Sequence, residues 1–236
     1  MTDDLTDFLA RRPATMQRPL LGLTILVVED SRFASEAMRL LCLRSGARIR
    51  RADCLRSAHR HLQTYRPSVV IVDLGLPDGS GTDLIREIKA MKATAPAVLA
   101  ISGEPVLREA ALAAGADAFL PKPIDSLAMF QQAVLSVTAA EDRPVLLPCA
   151  ADDTVSPDLL ALRDDLSHIS EVLMSGADRP DFGYVSQFLA GVARSAGDEA
   201  LEDAAMELGR DAEPSAAAIS HLNGLVQERL AAGAAF

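Results

Sequence analysis

The chain has 236 residues, 49% of them hydrophobic, and a formal net charge of −10. This is enough apolar material for one large or two modest domains with buried cores, and no apolar stretch approaches the roughly 20 residues that cross a bilayer. The acidic first residues lack the basic-then-apolar order of a secretory signal, and three cysteines without a C-x-x-C pair are typical of a reduced compartment. We therefore expect a cytoplasmic protein with no membrane partner.

Charge is unevenly distributed along the chain. Residues 1–140 contain 17 Lys and Arg against 15 Asp and Glu, a net of +2, whereas residues 141–236 contain 6 Arg, no Lys and 18 acids, a net of −12. Such an acidic segment is repelled by a phosphate backbone and is poor in the side chains with which a recognition helix reads DNA. The second half is therefore predicted not to bind nucleic acid.

The first half alternates between strand and helix patterns. Residues 1–22 are predicted to be an N-terminal extension, a poorly ordered or locally docked leader in which Leu5, Phe8 and Leu9 could form one or two turns of amphipathic helix. The predicted strands that follow are Leu23–Val28, Arg48–Ala52, Val69–Val72, Ala97–Ile101 and Ala118–Leu120. The predicted helices are Ser31–Arg44, Cys54–Gln63, Thr82–Met91, Pro105–Ala114 and Ser126–Val137. This alternation predicts an α/β domain over residues 23–140, with a five-stranded, doubly wound parallel sheet covered by helices on both faces.

The second half shows helical periodicity only. Residues 140–157 contain three prolines and no clear period, and residues 141–156 are predicted to be a linker. Beyond the linker, apolar residues recur at helical spacing in four stretches, Leu159–Leu173, Phe182–Val192, Leu201–Leu208 and Ile219–Leu230. Four helices with short connections over residues 157–236 predict an all-α antiparallel four-helix bundle.

Four of the predicted strands end in polar residues of different chemical types. Glu29 and Asp30 follow the first strand, Asp73 the third, Ser102 the fourth and Lys122 the fifth. Because parallel strands end at one edge of a sheet, these side chains should meet in one cleft. Three crowded carboxylates repel one another, and a hard cation such as Mg²⁺ relieves that repulsion. With Mg²⁺ bound, Asp73 could act as a nucleophile toward a phosphoryl group. The metal and an ammonium would balance the charge of the phosphoryl oxygens, and a hydroxyl would donate a hydrogen bond to them.

This combination of residues resembles the receiver (CheY-like) domain of two-component response regulators, which has a flavodoxin-like fold. The resemblance covers about residues 22–140 and is carried by Glu29-Asp30, Asp73 with its following Pro77 and Gly79, Ser102-Gly103 and Lys122-Pro123. It implies that Asp73 is the phosphoacceptor, that Glu29, Asp30, Asp73 and the carbonyl of Gly75 hold Mg²⁺, and that Lys122 contacts the phosphoryl oxygens. It also implies that Ser102 and Phe119 are switch residues and that the Lys122–Pro123 peptide bond is cis.

The resemblance also implies how such a protein works. A histidine kinase or a histidine phosphotransfer protein would donate the phosphoryl group. The receiver would catalyse its own phosphorylation and dephosphorylation without being a conventional enzyme. Phosphorylation would then change the protein contacts of the helical half with a target protein, or produce a homodimer.

Two positions depart from the usual receiver pattern. Phe119 fills the aromatic switch position with a ring that has no hydroxyl, and Gly75 stands where receivers often carry a larger polar side chain. A bare residue 75 admits water and alters the lifetime of the phosphoryl group. The direction of that change stays open, because Glu104 is also close to the predicted site.

A segment of the second half resembles the core of histidine phosphotransfer domains. Residues 187–205 follow that pattern when Leu189, Gly191 and Gly197 are aligned, but Gln187 then stands where the phosphorylated histidine should be. Gln187 and Gly191 are four residues apart and share one helix face. Because an amide cannot replace imidazole as a nucleophile, the resemblance implies a degenerate phosphotransfer domain. A plain four-helix bundle is the alternative interpretation, and phosphate on His168 or His221 would revive a true relay.

Other functions remain open at this level. The helical half could mimic a phosphotransfer domain and block kinase docking, which would make the protein an inhibitor or a scaffold. The whole chain could also be a phosphate sink with an inert second half.

Overall fold

The computed structural model describes residues 14–138, 153–174, 181–211 and 213–232. The strands in these ranges are β1 Thr24–Val28, β2 Arg48–Ala52, β3 Val69–Asp73, β4 Gly75–Leu76, β5 Gly79–Ser80, β6 Ala97–Ser102 and β7 Ala118–Pro121. The helices are α1 Arg32–Ser45, α2 Leu55–Thr64, α3 Gly81–Ala90, α4 Arg108–Ala113, α5 Leu127–Val137, α6 Leu159–Met174, α7 Phe182–Ala196, α8 Glu199–Leu208 and α9 Ala216–Ala232. Two short 3-10 helices, Lys92–Thr94 and Pro105–Leu107, lie between them.

Five of the strands form one parallel sheet, in the order β2-β1-β3-β6-β7. This is the doubly wound, flavodoxin-like order, and it confirms the predicted sheet. The short strands β4 and β5 form a separate antiparallel hairpin after β3. Val28 pairs with both Ala52 and Val72, and Asp73 pairs with Ile101. The carboxyl ends of the strands therefore lie at one edge of the sheet.

The sheet is buried on both faces because alternate strand residues point to opposite sides. Ile25 and Ile71 belong to a core that includes residues of α1 and α5, whereas Leu26 and Val70 belong to a second core with residues of α2, α3 and α4. All four side chains are fully buried. Strands buried on both faces read as continuous apolar runs, which is the pattern seen in the sequence.

Local signals place the ends of the elements. Ser31 caps α1 by accepting a hydrogen bond from the Ala34 N–H at 3.0 Å, and Gly46 ends α1 with a φ of +85°, which favours glycine. The predicted helix Pro105–Ala114 instead begins as the 3-10 helix Pro105–Leu107 and becomes α-helical at Arg108. Tight 3-10 turns are frequent at helix N-termini, and proline fits the first turn because it lacks an N–H.

From residue 157 onward, the described residues form α6 to α9 and their connections. Their apolar stripes meet in one core, which includes Leu166, Ile169, Val185, Leu189, Val192, Leu201, Leu208, Leu222 and Val226. The helical content of the second half is thus confirmed, while the antiparallel four-helix bundle stays a prediction.

Helices α6 to α9 and their described connections, called the helical part below, pack on the edge of the sheet where the strands end. Helices α6 and α7 both contact α1, and α7 also contacts β4. The chain enters this part along the receiver-like domain: Thr154 forms a β-bridge with Ser126, and Val155 is 4% exposed within the core beside α5.

Some sequence predictions lie outside the described residues or are not tested by the structure. The stripe of Leu5, Phe8 and Leu9 falls outside the described residues, whereas Leu20, near the end of the predicted extension, is fully buried in the core. The domain limits at residues 22, 140 and 156 stay predictions. Among the described helices, none has the length and apolar character needed to cross a membrane.

Candidate functional site

The site is built on three carboxylates at the ends of β1 and β3. Glu29 and Asp30 follow β1 directly, and Asp73 is the last residue of β3. One carboxylate oxygen from each residue lies within 4.8 Å of the others. Glu29 is 3% exposed and Asp73 is 6% exposed, so two of the three acids are nearly withdrawn from water.

A lysine links two of these acids. Lys122 follows β7, and its Nζ lies 2.7 Å from Glu29 Oε2 and 2.8 Å from Asp73 Oδ2. Burial lowers the pKa of Lys122, but the charges of Asp73 and Glu29 outweigh burial and raise the pKa above its ordinary value. The ammonium therefore stays charged. The Lys122–Pro123 peptide bond is cis, as the resemblance implies.

The single ammonium does not neutralise the whole cluster. Burial raises the pKa of Glu29 well above its usual range, with Lys122 acting in the opposite direction. Burial, followed by the nearby charge of Asp73, raises the pKa of Asp30 to about 7. With all three acids ionised, the cluster would therefore carry more negative charge than its surroundings stabilise. Hard oxygen ligands with unrelieved charge are what Mg²⁺ prefers, so these residues fit a divalent cation.

The remaining predicted residues lie around the same cleft. Ser102 ends β6, is 4% exposed, and its Oγ accepts a hydrogen bond from the Glu104 N–H at 3.1 Å. Gly75 begins β4, and its N–H donates to Asp73 Oδ1 at 3.3 Å. Phe119, within β7, is half-buried against the core beside α2, α3 and α4. The metal role of the Gly75 carbonyl and the switch roles of Ser102 and Phe119 stay predictions.

The helical part contributes side chains to this cleft. Tyr184 of α7 donates a hydrogen bond from its hydroxyl to Asp30 Oδ2 at 2.8 Å. Gln187, one turn later, donates from Nε2 to Glu104 Oε1 at 2.5 Å, and Arg194 donates from its guanidinium to the Gly103 carbonyl at 2.8 Å. One face of α7 therefore covers the strand ends.

The sequence predictions did not identify Asp165, which fixes the helical part to α1. Asp165 of α6 is 2% exposed. Its carboxylate accepts from the Ser31 hydroxyl at 2.8 Å and from the N–H groups of Arg32 and Phe33 at 2.9 and 3.0 Å. The two backbone N–H groups are free donors of the α1 N-terminus, where a negative charge is favourable. The available signal was that Asp165 shares the apolar stripe of α6, four residues before Ile169.

The two parts enclose a cavity of about 560 Å³. Its lining includes Asp73, Lys122 and Ser102 from the strand ends, and Gln187 and Gly191 from α7. Gln187 and Gly191, the two positions of the predicted phosphotransfer-like motif, thus line the same space as the predicted phosphoacceptor. A Cβ at Gly191 would meet no atom within 4 Å, so this arrangement does not itself require glycine there.

Sequence comparisons agree with the geometry of the first half. Residues 25–134 match the family described as "Response regulator receiver domain". The chain is 36% identical over 99 residues to the KDP operon transcriptional regulatory protein KdpE of Escherichia coli K12, covering 42% of this chain and 44% of KdpE. It is 32% identical over 100 residues to the virulence transcriptional regulatory protein PhoP of Salmonella typhimurium, covering 42% of this chain and 45% of PhoP. The chain thus spans less than half the length of these relatives.

Solved structures are similar over the same region. A receiver domain of a sensor histidine kinase from Pseudomonas aeruginosa PAO1, which has a magnesium ion coordinated in its active site cleft, shares 25% identity at a TM-score of 0.45, covering 49% of this chain and 97% of its own. A putative response regulator from Chloroflexus aurantiacus shares 25% identity at a TM-score of 0.43, covering 48% and 91%. From the family match and the observed sheet, we conclude that residues 25–134 of this chain form a response regulator receiver domain of the kind used in two-component signalling.

Proposed function

We propose that the chain is a response regulator in which Asp73 accepts a phosphoryl group with Mg²⁺, and that this event changes the protein contacts of the helical part. The observation that carries the proposal is the convergence of three carboxylates on one ammonium, Lys122, beside a cavity. A histidine kinase or a histidine phosphotransfer protein would be the donor.

The residues of the site divide the chemistry between them. Glu29, Asp30 and Asp73 would hold Mg²⁺, with the Gly75 carbonyl as a further ligand, and the ion supplies neutralising charge when it is bound. An Asp73 carboxylate oxygen forms the new bond to phosphorus as the bond from phosphorus to the donor breaks. Lys122 is already held 2.8 Å from Asp73. Its ammonium can therefore stabilise the negative charge on the phosphoryl oxygens as they bond to Asp73.

Ser102 and Phe119 would carry the signal away from Asp73. Ser102 is buried at the end of β6, and Phe119 lies on the adjacent strand β7. The Ser102 hydroxyl can donate to a phosphoryl oxygen, and its movement would free space for the Phe119 ring to turn inward. A phosphorylation-dependent homodimer through the reshaped surface is part of this proposal.

The placement of α7 supports a degenerate phosphotransfer interpretation of the helical part. Gln187 lines the cavity that Asp73 also lines, which is where a donor histidine on a phosphotransfer helix would need to lie. The net charge of −12 over residues 141–236 supports protein contacts rather than nucleic-acid binding as its output.

The same placement favours one other function. A helical part that occupies the phosphorylation cleft of its own receiver has a surface that fits receivers. It could also occupy the cleft of another receiver, or cover the surface on which a kinase docks. The chain would then be an inhibitor or a scaffold in addition to accepting phosphate.

Labelling with acetyl phosphate tests the main proposal. The wild-type chain should take up one phosphoryl group in the presence of Mg²⁺. Samples treated with EDTA before acetyl phosphate is added should take up none, because the cation is needed to neutralise charge during the transfer. The Asp73→Ala variant should take up none. Equal labelling of the wild type and Asp73→Ala, measured by intact-protein mass or radiolabel, would overturn the proposal.

A further inference from the structure

The amide of Gln187 is held in one orientation. Its Nε2 donates to Glu104 Oε1 at 2.5 Å, and an ionised carboxylate can only accept hydrogen bonds. The nitrogen must therefore face Glu104, and the carbonyl oxygen Oε1 faces the other way. Glu104 thus fixes which end of the amide is turned toward Gly75.

The oxygen of this amide fills the space that residue 75 leaves empty. A Cβ built on Gly75 would lie 2.9 Å from Gln187 Oε1, closer than side-chain carbon atoms normally approach an oxygen. Gly75 itself donates its N–H to Asp73 Oδ1 at 3.3 Å. A hydrogen-bond acceptor from α7 is thereby placed next to the backbone that contacts the phosphoacceptor.

The cavity between these groups can hold a phosphoryl group and water together. Its volume is about 560 Å³, and it is lined by Asp73, Gly75, Glu104 and Gln187, whereas one water occupies about 30 Å³ in the liquid. Gln187 is exposed, so water reaches its amide. In enzymes that hydrolyse GTP, a glutamine amide orients the attacking water.

We propose that Gln187 is a catalytic residue for hydrolysis of the aspartyl phosphate, acting within the same chain; this inference rests on phosphorylation of Asp73. Gln187 Oε1 accepts a hydrogen bond from a water whose oxygen attacks phosphorus. The new oxygen–phosphorus bond forms as the bond between phosphorus and the Asp73 carboxylate breaks. Asp73 leaves as a carboxylate, and both water protons end on the inorganic phosphate. Gln187 orients the water and takes no proton.

This arrangement makes the lifetime of the phosphoryl group depend on the docking of α7. Arg194 and Tyr184 hold α7 in place through the Gly103 carbonyl and Asp30. Gly103 allows this approach because a Cβ there would overlap the Arg194 guanidinium. A partner that draws the helical part away from the cleft would remove the amide and prolong the phosphorylated state.

The decay of the label in the 236-residue chain tests the proposal. Wild type, Gln187→Ala and Gln187→Leu are charged with acetyl phosphate and Mg²⁺, the donor is removed, and the remaining label is followed over time. Gln187→Leu keeps the bulk of the side chain but loses the amide. Both variants should decay roughly 10²-fold more slowly than wild type, the low end for loss of one preorganised polar group. Gln227→Leu is the matched control, because Gln227 bonds to Ser170 away from the cavity, and it should decay like wild type.

The other outcomes are decisive. If Gln187 only shields the site, Gln187→Ala will decay faster than wild type and Gln187→Leu will decay like it, and the proposal is wrong. Equal decay of all chains, with the label still absent from Asp73→Ala, overturns this inference and leaves the proposed function intact. Absence of label from every chain, including the slow variants, means that the proposed function itself has failed.

A second substitution, in the receiver domain, tests whether the position of the Gln187 amide matters. Gly75→Ala would place its methyl group against Gln187 Oε1 and displace the amide. It should slow the decay by a larger factor in wild type than in Gln187→Ala, because only the wild type has an amide to displace. A slowing of the same size in both backgrounds would contradict a catalytic role of the Gln187 amide.

Discussion

At the scale of single residues, the site is a charge balance that is incomplete without a cation. Lys122 pairs with Glu29 and Asp73, while Asp30 has Tyr184 as a neutral donor. A neutral hydroxyl stabilises a carboxylate less than a full positive charge does. Protonation of Asp30 is therefore the competing way to remove charge, which agrees with the raised pKa of Asp30.

The pKa of Asp30, about 7 without metal, predicts how Mg²⁺ binding depends on pH. Because Mg²⁺ must displace the proton, its apparent affinity should rise as the pH increases from 6 through 7, by up to about tenfold per pH unit for one proton released. Calorimetric titration at pH 6, 7 and 8 measures this. Asp30→Asn should bind Mg²⁺ more weakly and with a flatter pH profile. An affinity that does not change with pH in the wild type would contradict the prediction.

The same shift has a consequence for stability. The folded chain keeps a proton on Asp30 between pH 3.8 and about 7, whereas the unfolded chain releases it. The Asp30 contribution to stability without Mg²⁺ therefore falls as pH rises through this window. Saturating Mg²⁺ should oppose that loss, because it binds the folded state.

At the scale of elements, the helical part is fixed at the N-terminus of α1. Asp165 of α6 accepts three hydrogen bonds there. Burial raises the pKa of Asp165 despite the backbone donors of Phe33 and Arg32, which act in the opposite direction. The contact joins the first helix of the receiver to the first helix of the second half, and its α1 residues directly follow the predicted metal ligands Glu29 and Asp30 in the sequence.

Substitution of Asp165 should therefore lower the free energy of unfolding more than substitution of its neighbour Asp164. Asp165→Ala leaves buried donors at the start of α1 without a partner and should cost roughly 1–3 kcal/mol, measured as a lower urea midpoint. Asp164→Ala removes an exposed ion pair with Arg32 and should cost about 0–1 kcal/mol. Equal midpoints for the two variants would show that Asp165 does not hold the two parts together.

At the scale of the whole molecule, α7 lies over the strand ends of the first half, and Gln187 lines the same cavity as Asp73. A histidine introduced at position 187 tests the proposed phosphotransfer-like role of this helix by supplying the missing nucleophile. In Gln187→His, the introduced imidazole would face the cavity that contains Asp73, and we expect phosphate to move from Asp73 to it. The product is recognised by its stability in base and lability in acid. Gln227→His, which places an imidazole away from the cavity, should stay unlabelled on histidine. Absence of base-stable label in Gln187→His would argue for a plain helical bundle.

The sequence by itself determined the sheet and the candidate site of the first half. Buried parallel strands are continuous apolar runs, and their polar ends must meet at one edge, so Glu29, Asp73 and Lys122 could be grouped without coordinates. Element limits followed from local signals such as Ser31 and Gly46, because caps and left-handed glycines act within a few residues.

Only the tertiary structure decided where the helical half lies. Docking depends on a few contacts between residues more than 80 positions apart, such as Gln187 with Glu104 and Arg194 with Gly103. Periodicity identifies the apolar face that each helix buries, but it contains no information about which polar residues of another domain that helix will meet. The missing side chain at Gly75 could be explained only from the structure, in which Gln187 occupies the space where a Cβ of residue 75 would lie.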